Sequence, residues 1–367
     1  MTTTTPDPER ADSDVLPMAT YSGILSPVSI LSRSTSTPGS AVEYSIIDFD
    51  ADTRDPAGIA GWVEQWLNSA EMTELFELFG HRIESSGLRN RLHEAERISR
   101  EIFDFRQGGE RWEARQSRFD PHVTEVVDSL IARLFREPTE QPSAGVDPVD
   151  HALVLGGRLN SCILRAELLS KLVADHMTVN TVWGLGSRRE VTNDEHAVAD
   201  RLGLGTIDDE LDAMAAALRY MMQLPDLGVE DKARQAPSEV RHIAFEPLPV
   251  IGLAASPGPG KPRATTSDTY RFFRETAAIE EGDHLLIVTS AIHAPFQHAQ
   301  AIAELGVACA ATITSVGAHI GTSGESEVRG DWTTAEWLQE VRSAIWSMRN
   351  MYESLLEAHP GLDIRRA

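Results

Sequence analysis

The chain has 367 residues, 33 Lys and Arg against 56 Asp and Glu, a formal net charge of -23 and two cysteines. At roughly 150 residues per domain, that length predicts about two domains and ample material for a core. The acidic balance argues against wrapping nucleic acid or docking on an anionic membrane, because a polyanion needs compensating cations. Cys162 and Cys309 are too few for a disulfide framework or a cysteine zinc site, and no metal site is expected.

No window approaches the roughly 18 consecutive apolar residues of a transmembrane helix. The opening MTTTTPDPERADSD has neither the basic nor the apolar region of a secretory signal, and the simplest expectation is a soluble cytoplasmic protein.

Residues 1–45 are rich in Thr, Ser, Pro and Asp, and their composition predicts a disordered tail in which Tyr21 to Leu25 and Val28 to Leu31 are short apolar islands. Residues 46–145 form a helical segment. Ile59, Trp62, Val63 and Trp66, then Met72, Leu75, Phe76, Leu78 and Phe79, then Ile98, Ile102 and Phe103, and finally Val126 to Leu134 recur at helical spacing. The breaker-rich TEQPSAGVDP then places a boundary near residue 145.

From 146 to 367 short apolar runs alternate with amphipathic stretches, which predicts an α/β domain with a Rossmann-like parallel sheet flanked by helices. The strand candidates are His151 to Leu155, Thr178 to Trp183, Leu248 to Ala254, His284 to Thr289 and Val307 to Thr314. Helices are expected over Arg165 to Ala174, Asp208 to Met222, Ser267 to Ala278 and Pro295 to Leu305, and a last one runs from the cap signal at Thr333 and Thr334 to Leu356. With Trp337 and Trp346, that helix packs equally well on its own sheet or on a second copy, so a homo-oligomer stays open.

Ligands of open parallel sheets lie beyond the carboxyl ends of the strands, which directs attention to four loops. LVLGGRLNS offers Gly156 and Gly157 for close backbone approach and Arg158 for charge, or else it is an ordinary strand-to-helix turn. WGLGSRRE supplies Gly186, Ser187 and Arg188, but Arg189 stands at the third glycine of a dinucleotide fingerprint, which makes NAD a poor fit. Arg158, Arg165, Arg188, Arg189, Lys261 and Arg263 together predict a basic mouth on an acidic body, hence a ligand with a phosphate or carboxylate. The alternative is that these arginines pair with Glu190, Asp194 or Glu195.

PGPGKPRATTSDTYRFF fails as a phosphate loop, since Ala255 and Pro262 stand where Gly and Ser or Thr are required. Its Thr266 or Ser267 reads as a helix cap with Asp268 in the first turn. LLIVTSAIHAPFQHA delivers Thr289, Ser290 and His293 from a buried strand, and His293 either serves as acid or base, oriented by Glu210 or Asp268, or caps the next helix.

In this order the loops resemble the YdcF-like family over about residues 150 to 315. The matching elements are Ala152 to Gly157, Arg165 with Ala166, the turn Gly184 to Gly186, Glu210, the segment Thr265 to Thr269, and VTSAIH at Val288 to His293. Asp268 and Thr269 replace that family's Glu-Asn pair, and Phe296 replaces its Arg. The resemblance implies a Rossmann-type fold and a nucleotide-like ligand, with S-adenosylmethionine the leading candidate.

The resulting expectation is an enzyme of group transfer or hydrolysis acting on a nucleotide-type or anionic small molecule. Gly156, Gly157 and Gly186 allow close approach, Arg158, Arg165 and Arg188 hold the anion, and Ser187, Thr266, Thr289 and Ser290 add polar contacts. His293, Glu210 and Asp268 transfer protons. The alternative is a metabolite sensor or scaffold without turnover, whose helical segment, with Trp62, Trp66 and Phe76, contacts a partner. A lid over the crevice is a third role for that segment.

Overall fold

Strands buried on both faces read as nearly continuous apolar runs, and such runs form the centre of the molecule. The computed structural model describes residues 44–47, 55–105, 117–135, 148–225, 238–246, 248–261, 263–318 and 332–362. The tail expected over 1–45 lies outside them except at its end, where β1 (Tyr44–Ile47) is a strand.

The remaining strands are β2 (Val149–Leu155), β3 (Val179–Ser187), β4 (Glu239–Ala244), β5 (Val250–Ala255), β6 (His284–Ser290) and β7 (Thr312–Ala318). They form one sheet in the order β1-β7-β6-β2-β3-β5-β4. The five central strands are parallel, and β1 and β4 run antiparallel at the two edges. Taking β2, β3, β5, β6 and β7 as first to fifth, the order β5-β3-β2-β6-β7 reads 3-2-1-4-5, a doubly wound arrangement consistent with the Rossmann-like parallel sheet expected from the sequence. Its direction reverses between β2 and β6.

Helices cover both faces. Ala152 and Val154 of β2 point to one side with Val182, Leu286 and Val288, under α5 (Leu159–Ala174), α6 (Asn193–Leu202) and α7 (Glu210–Met222). Leu153 and Leu155 point to the other with Trp183, Leu253, Leu285 and Ile287, under α8 (Thr266–Thr276), α9 (Ala294–Ala301) and α11 (Thr334–Ala358). The same core continues into α1 (Pro56–Leu67), α2 (Ala70–Leu78), α3 (Leu88–Ile102) and α4 (Pro121–Leu134), with α11 packed between α9 and α3. Trp66 and Phe76 are buried there, and Trp62 is partly buried against that core.

Four local readings change. Gly184 to Gly186 is not a turn but part of β3: a Cβ at Gly184 would stand 2.7 Å from Leu218 Cδ1 and Met214 Cγ, so the missing side chain lets α7 close on the sheet. Val307 to Thr314 is not a single strand. After α9 the chain passes through a π turn (Ile302–Gly306) and the short α10 (Val307–Cys309), reverses at Ala310 with φ 53°, and only then enters β7. β4 and α6 were not anticipated from the sequence.

Candidate functional site

The parallel register brings the strand ends to one level. Leu155 lies opposite Leu185, and Val154 opposite Val288, so Gly156 and Gly157, Gly186 and Ser187, and Thr289 and Ser290 all end the sheet on the same side. A cleft of about 1830 Å³ opens there, floored by Leu155, Gly156, Gly157, Gly186, Ser187 and Glu210 and walled by α8, α9 and α11. It spans the point where the strand order reverses, the place at which such sheets bind ligands.

Gly156 is needed for a reason internal to the protein. A Cβ on it would lie 2.5 Å from Leu185 O and 2.6 Å from Glu210 Oε1, so the glycine admits the Glu210 carboxyl against the strand end. The other oxygen of Glu210 accepts a hydrogen bond from Ser187 Oγ. Burial pushes this carboxyl above its ordinary range, while the Ser187 hydrogen bond and the charges of Arg189, Arg263 and Arg165 pull the other way. Gly157 and Gly186 are less constrained, since the nearest atoms to an added Cβ stand at 3.4 Å.

Arg165 comes from the second turn of α5 and is only 2% exposed. Its Nη1 donates to Leu155 O at 2.7 Å and to Gly156 O, and its Nε donates to Ser290 Oγ at 3.1 Å. The guanidinium thus ties the end of β2 to the end of β6. Thr289 donates to Gln297 Oε1 and is fully buried. Neither Thr289 nor Ser290 lines the cleft, so the two support the floor from below instead of meeting a ligand directly.

Arg158 and Arg189 pair with two of the carboxylates named as alternatives, Asp194 and Glu195, and Arg188 pairs with others. Arg158 reaches Thr192 Oγ1 at 3.2 Å and Asp194 at 3.5 Å. Arg189 is bound to Glu195 at 2.9 and 3.0 Å and to Gly157 O at 3.0 Å, and Glu195 in turn accepts from Leu159 N, the first amide of α5, at 2.8 Å. The carboxylate therefore takes the anion position at that helix start. Burial opposes its charge, but the hydrogen bonds from Arg189, Thr192 N and Leu159 N bring its pKa down to about 2. Arg188 turns away from the cleft to Asp209, at 2.6 Å, and Glu239, so its assignment to a ligand is corrected.

Asp268 is corrected as well. Thr265, not Thr266 or Ser267, caps α8, and Asp268 is the third residue of its capping box, accepting from Thr265 N at 2.8 Å and Lys261 Nζ at 3.1 Å. It does not line the cleft, whereas Lys261, Arg263, Thr266 and Ser267 do.

His293 ends a 3-10 turn (Ala291–His293) and does line the cleft, with 8% of its surface exposed. The carboxylate beside its ring is neither Glu210 nor Asp268 but Glu340 of α11, 3.2 Å from Nδ1, and the Trp332 ring meets the imidazole edge-on at 5.6 Å. Sequence reasoning missed Glu340, Trp332 and the glutamines Gln297, Gln300 and Gln339, all of which line the cleft. A pairing across 47 residues leaves no spacing signal. Among the described residues, no three His, Cys, Asp or Glu side chains are placed to hold a metal, and no helix is long and apolar enough to cross a membrane.

Comparison with known proteins corrects the expected kinship. Residues 50–135 match the family model described as Rv3785 N-terminal domain, which is the helical segment that the YdcF-like resemblance left out. The chain is 25% identical over 338 residues to uncharacterized protein Rv3785 of Mycobacterium tuberculosis (strain ATCC 25618 / H37Rv), covering 82% of this chain and 92% of that one. It is similar to the same extent to uncharacterized protein Mb3814 of Mycobacterium bovis. These matches, and no YdcF-like one, overturn that resemblance. No solved structure matches the chain. The chain is thus similar to the Rv3785-like proteins, both in its helical segment and across the α/β fold.

Proposed function

We propose that the cleft binds an anionic, nucleotide-type small molecule and that the protein is an enzyme of group transfer or hydrolysis. The observation that carries this reading is the His293–Glu340 pair at the sheet's switch point. Glu340 Oε2 stands 3.2 Å from Nδ1, and a hydrogen bond closed across that gap would fix the imidazole tautomer and make Nε2 the basic nitrogen, the arrangement that proton transfer to or from a bound group requires. Glu210, its pKa raised by burial, supplies a second proton-exchanging group on the same cleft floor.

Arg158, Arg189, Lys261 and Arg263 line the cleft, and a ligand carrying negative charge would share the first three with the carboxylates of Asp194, Glu195 and Asp268 that already pair with them. S-adenosylmethionine remains one member of the ligand panel on the strength of its nucleoside moiety. The test is native mass spectrometry of freshly purified protein, then thermal-shift screening of nucleotides, S-adenosylmethionine, sugar phosphates and carboxylates, with product analysis for each ligand that binds. Binding with product formation supports an enzyme. Binding with the ligand returned unchanged replaces it with a sensor.

A further inference from the structure

The side-chain amide of Gln297 is held at one end and open at the other. Gln297 is 6% exposed and lines the cleft from α9. Its Oε1 accepts a hydrogen bond from Thr289 Oγ1, on a fully buried residue of β6, and its backbone carbonyl accepts from Tyr270 Oη at 3.3 Å. The bond from Thr289 takes the acceptor end of the amide, so the Nε2 end points the other way. Among the described residues that nitrogen donates to no acceptor, yet it is not sealed from solvent as Gln300 Oε1 and Gln339 Nε2 are, so it opens on the cleft.

Its surroundings bear on what it meets. His293 precedes Gln297 by four residues and has helical backbone angles (φ -98°, ψ -9°), which puts the two side chains on one face with Cβ atoms about 6 Å apart, and both line the cleft. Ser290, next after Thr289, accepts from Arg165 Nε at 3.1 Å. Neighbouring strand residues face opposite sides of a sheet, so Thr289 secures Gln297 and Ser290 secures Arg165 about one strand end. Burial pushes the Tyr270 hydroxyl up and the Arg165 charge opposes that, which sets the guanidinium near the Gln297 carbonyl as well.

We propose that the end of β6 is an oxyanion subsite, in which Gln297 Nε2 donates to a phosphoryl or carboxylate oxygen of the ligand beside His293. A donor fixed by a buried partner before the ligand arrives needs no reorganisation on binding. Arg165 adds positive charge at the same strand end, and α9, which begins after His293, has no acidic residue in its first turn, so its dipole favours the same sign. The rim differs, since Arg158, Arg189 and Lys261 already hold carboxylates of the protein. This inference rests on the reading of the cleft as a binding and proton-transfer site and adds where the oxygen beside the exchanged proton is held.

The test is calorimetric titration of the full-length protein with inorganic phosphate and acetate, which separate the two sources of the oxygen, and with AMP. The variants are Gln297→Glu, which keeps an acceptor for Thr289 and puts a carboxylate oxygen in place of the donor, Gln297→Met, which removes the amide with little change of volume, and Lys261→Ala on the rim, with the melting temperature of each recorded. The expected result is that at least one probe binds the wild type, that Gln297→Met weakens it by about tenfold, the worth of one hydrogen bond, that Gln297→Glu weakens it further by repulsion, and that Lys261→Ala changes it little. Binding that survives in both Gln297 variants and is lost in Lys261→Ala overturns the subsite while the anionic cleft stands. Weakening by Gln297→Glu alone is repulsion without a lost hydrogen bond and overturns the subsite too. Should none of the three probes bind the wild type, both readings fall together.

Discussion

The Glu210 carboxyl occupies the space that a side chain at Gly156 would need, with an added Cβ only 2.6 Å from Oε1. An acid is thereby held at the end of the first parallel strand. Gly156→Ala must displace Glu210 and also meet the rigid Leu185 carbonyl at 2.5 Å, so it should destabilise the protein by about 1–3 kcal/mol, as overpacking does. Gly157→Ala, with its nearest neighbour at 3.4 Å, should cost much less. Urea unfolding of the two variants checks the contrast.

Glu210 should be held against the interest of stability. Because its folded pKa lies above the usual value of 4.5, the folded state binds the proton more tightly than the unfolded one, and ionisation above that pH disfavours folding. Glu210→Gln keeps a partner for Ser187 and removes the buried charge, so it should raise the melting temperature at pH 7, with the gain shrinking as pH falls toward 4.5 and below, while ligand binding is lost. A melting temperature lowered at pH 7 would contradict this.

Glu195 has the opposite sign. With a folded pKa near 2 against 4.5, its contribution is fully present above pH 4.5 and is lost as pH falls from there toward 2. The urea midpoint of the wild type should fall over that window more steeply than that of Glu195→Gln, and the two curves should converge in acid.

The unanticipated strand β4 is held by charge. Arg241 binds Glu239 and Asp212, each at 2.7 Å, and Glu239 also receives Arg188, with all these side chains largely buried. Arg241→Ala leaves two buried carboxylates without that cation and should cost about 3–5 kcal/mol, whereas Arg158→Ala on the exposed rim should cost less than about 1 kcal/mol. Chemical denaturation of the two variants measures the difference.

The same strand shows why part of the fold was hidden in the sequence. β2, β5 and β6 were legible because burial on both faces favours nearly unbroken apolar runs, whereas EVRHIA carries the charges of that network and reads as a polar loop. Helix α6 buries only Glu195 and Ala199, so it has almost no apolar stripe, although its Thr192 and Glu195 capping box was present as a signal. At the cleft, Gly156 and His293 were singled out because they follow strands, and Glu210, the first residue of α7, was singled out as a carboxylate for His293. Asp268 was misassigned because a carboxylate beside a Gly-rich loop and one that closes a capping box look alike in sequence. Glu340 was missed because only the packing of α11 on α9 brings it to His293.

The most direct test of the cleft as a binding and proton-transfer site is a ligand thermal-shift panel run in parallel on the wild type, His293→Ala and Glu210→Gln. A ligand at 100 times its Kd should stabilise the wild type by about 2.7 kcal/mol through mass action. The account predicts at least one nucleotide-type or anionic ligand that shifts the wild type, with the shift reduced or abolished in both variants. A ligand that shifts all three proteins equally, or no shift from any member of the panel, would contradict it.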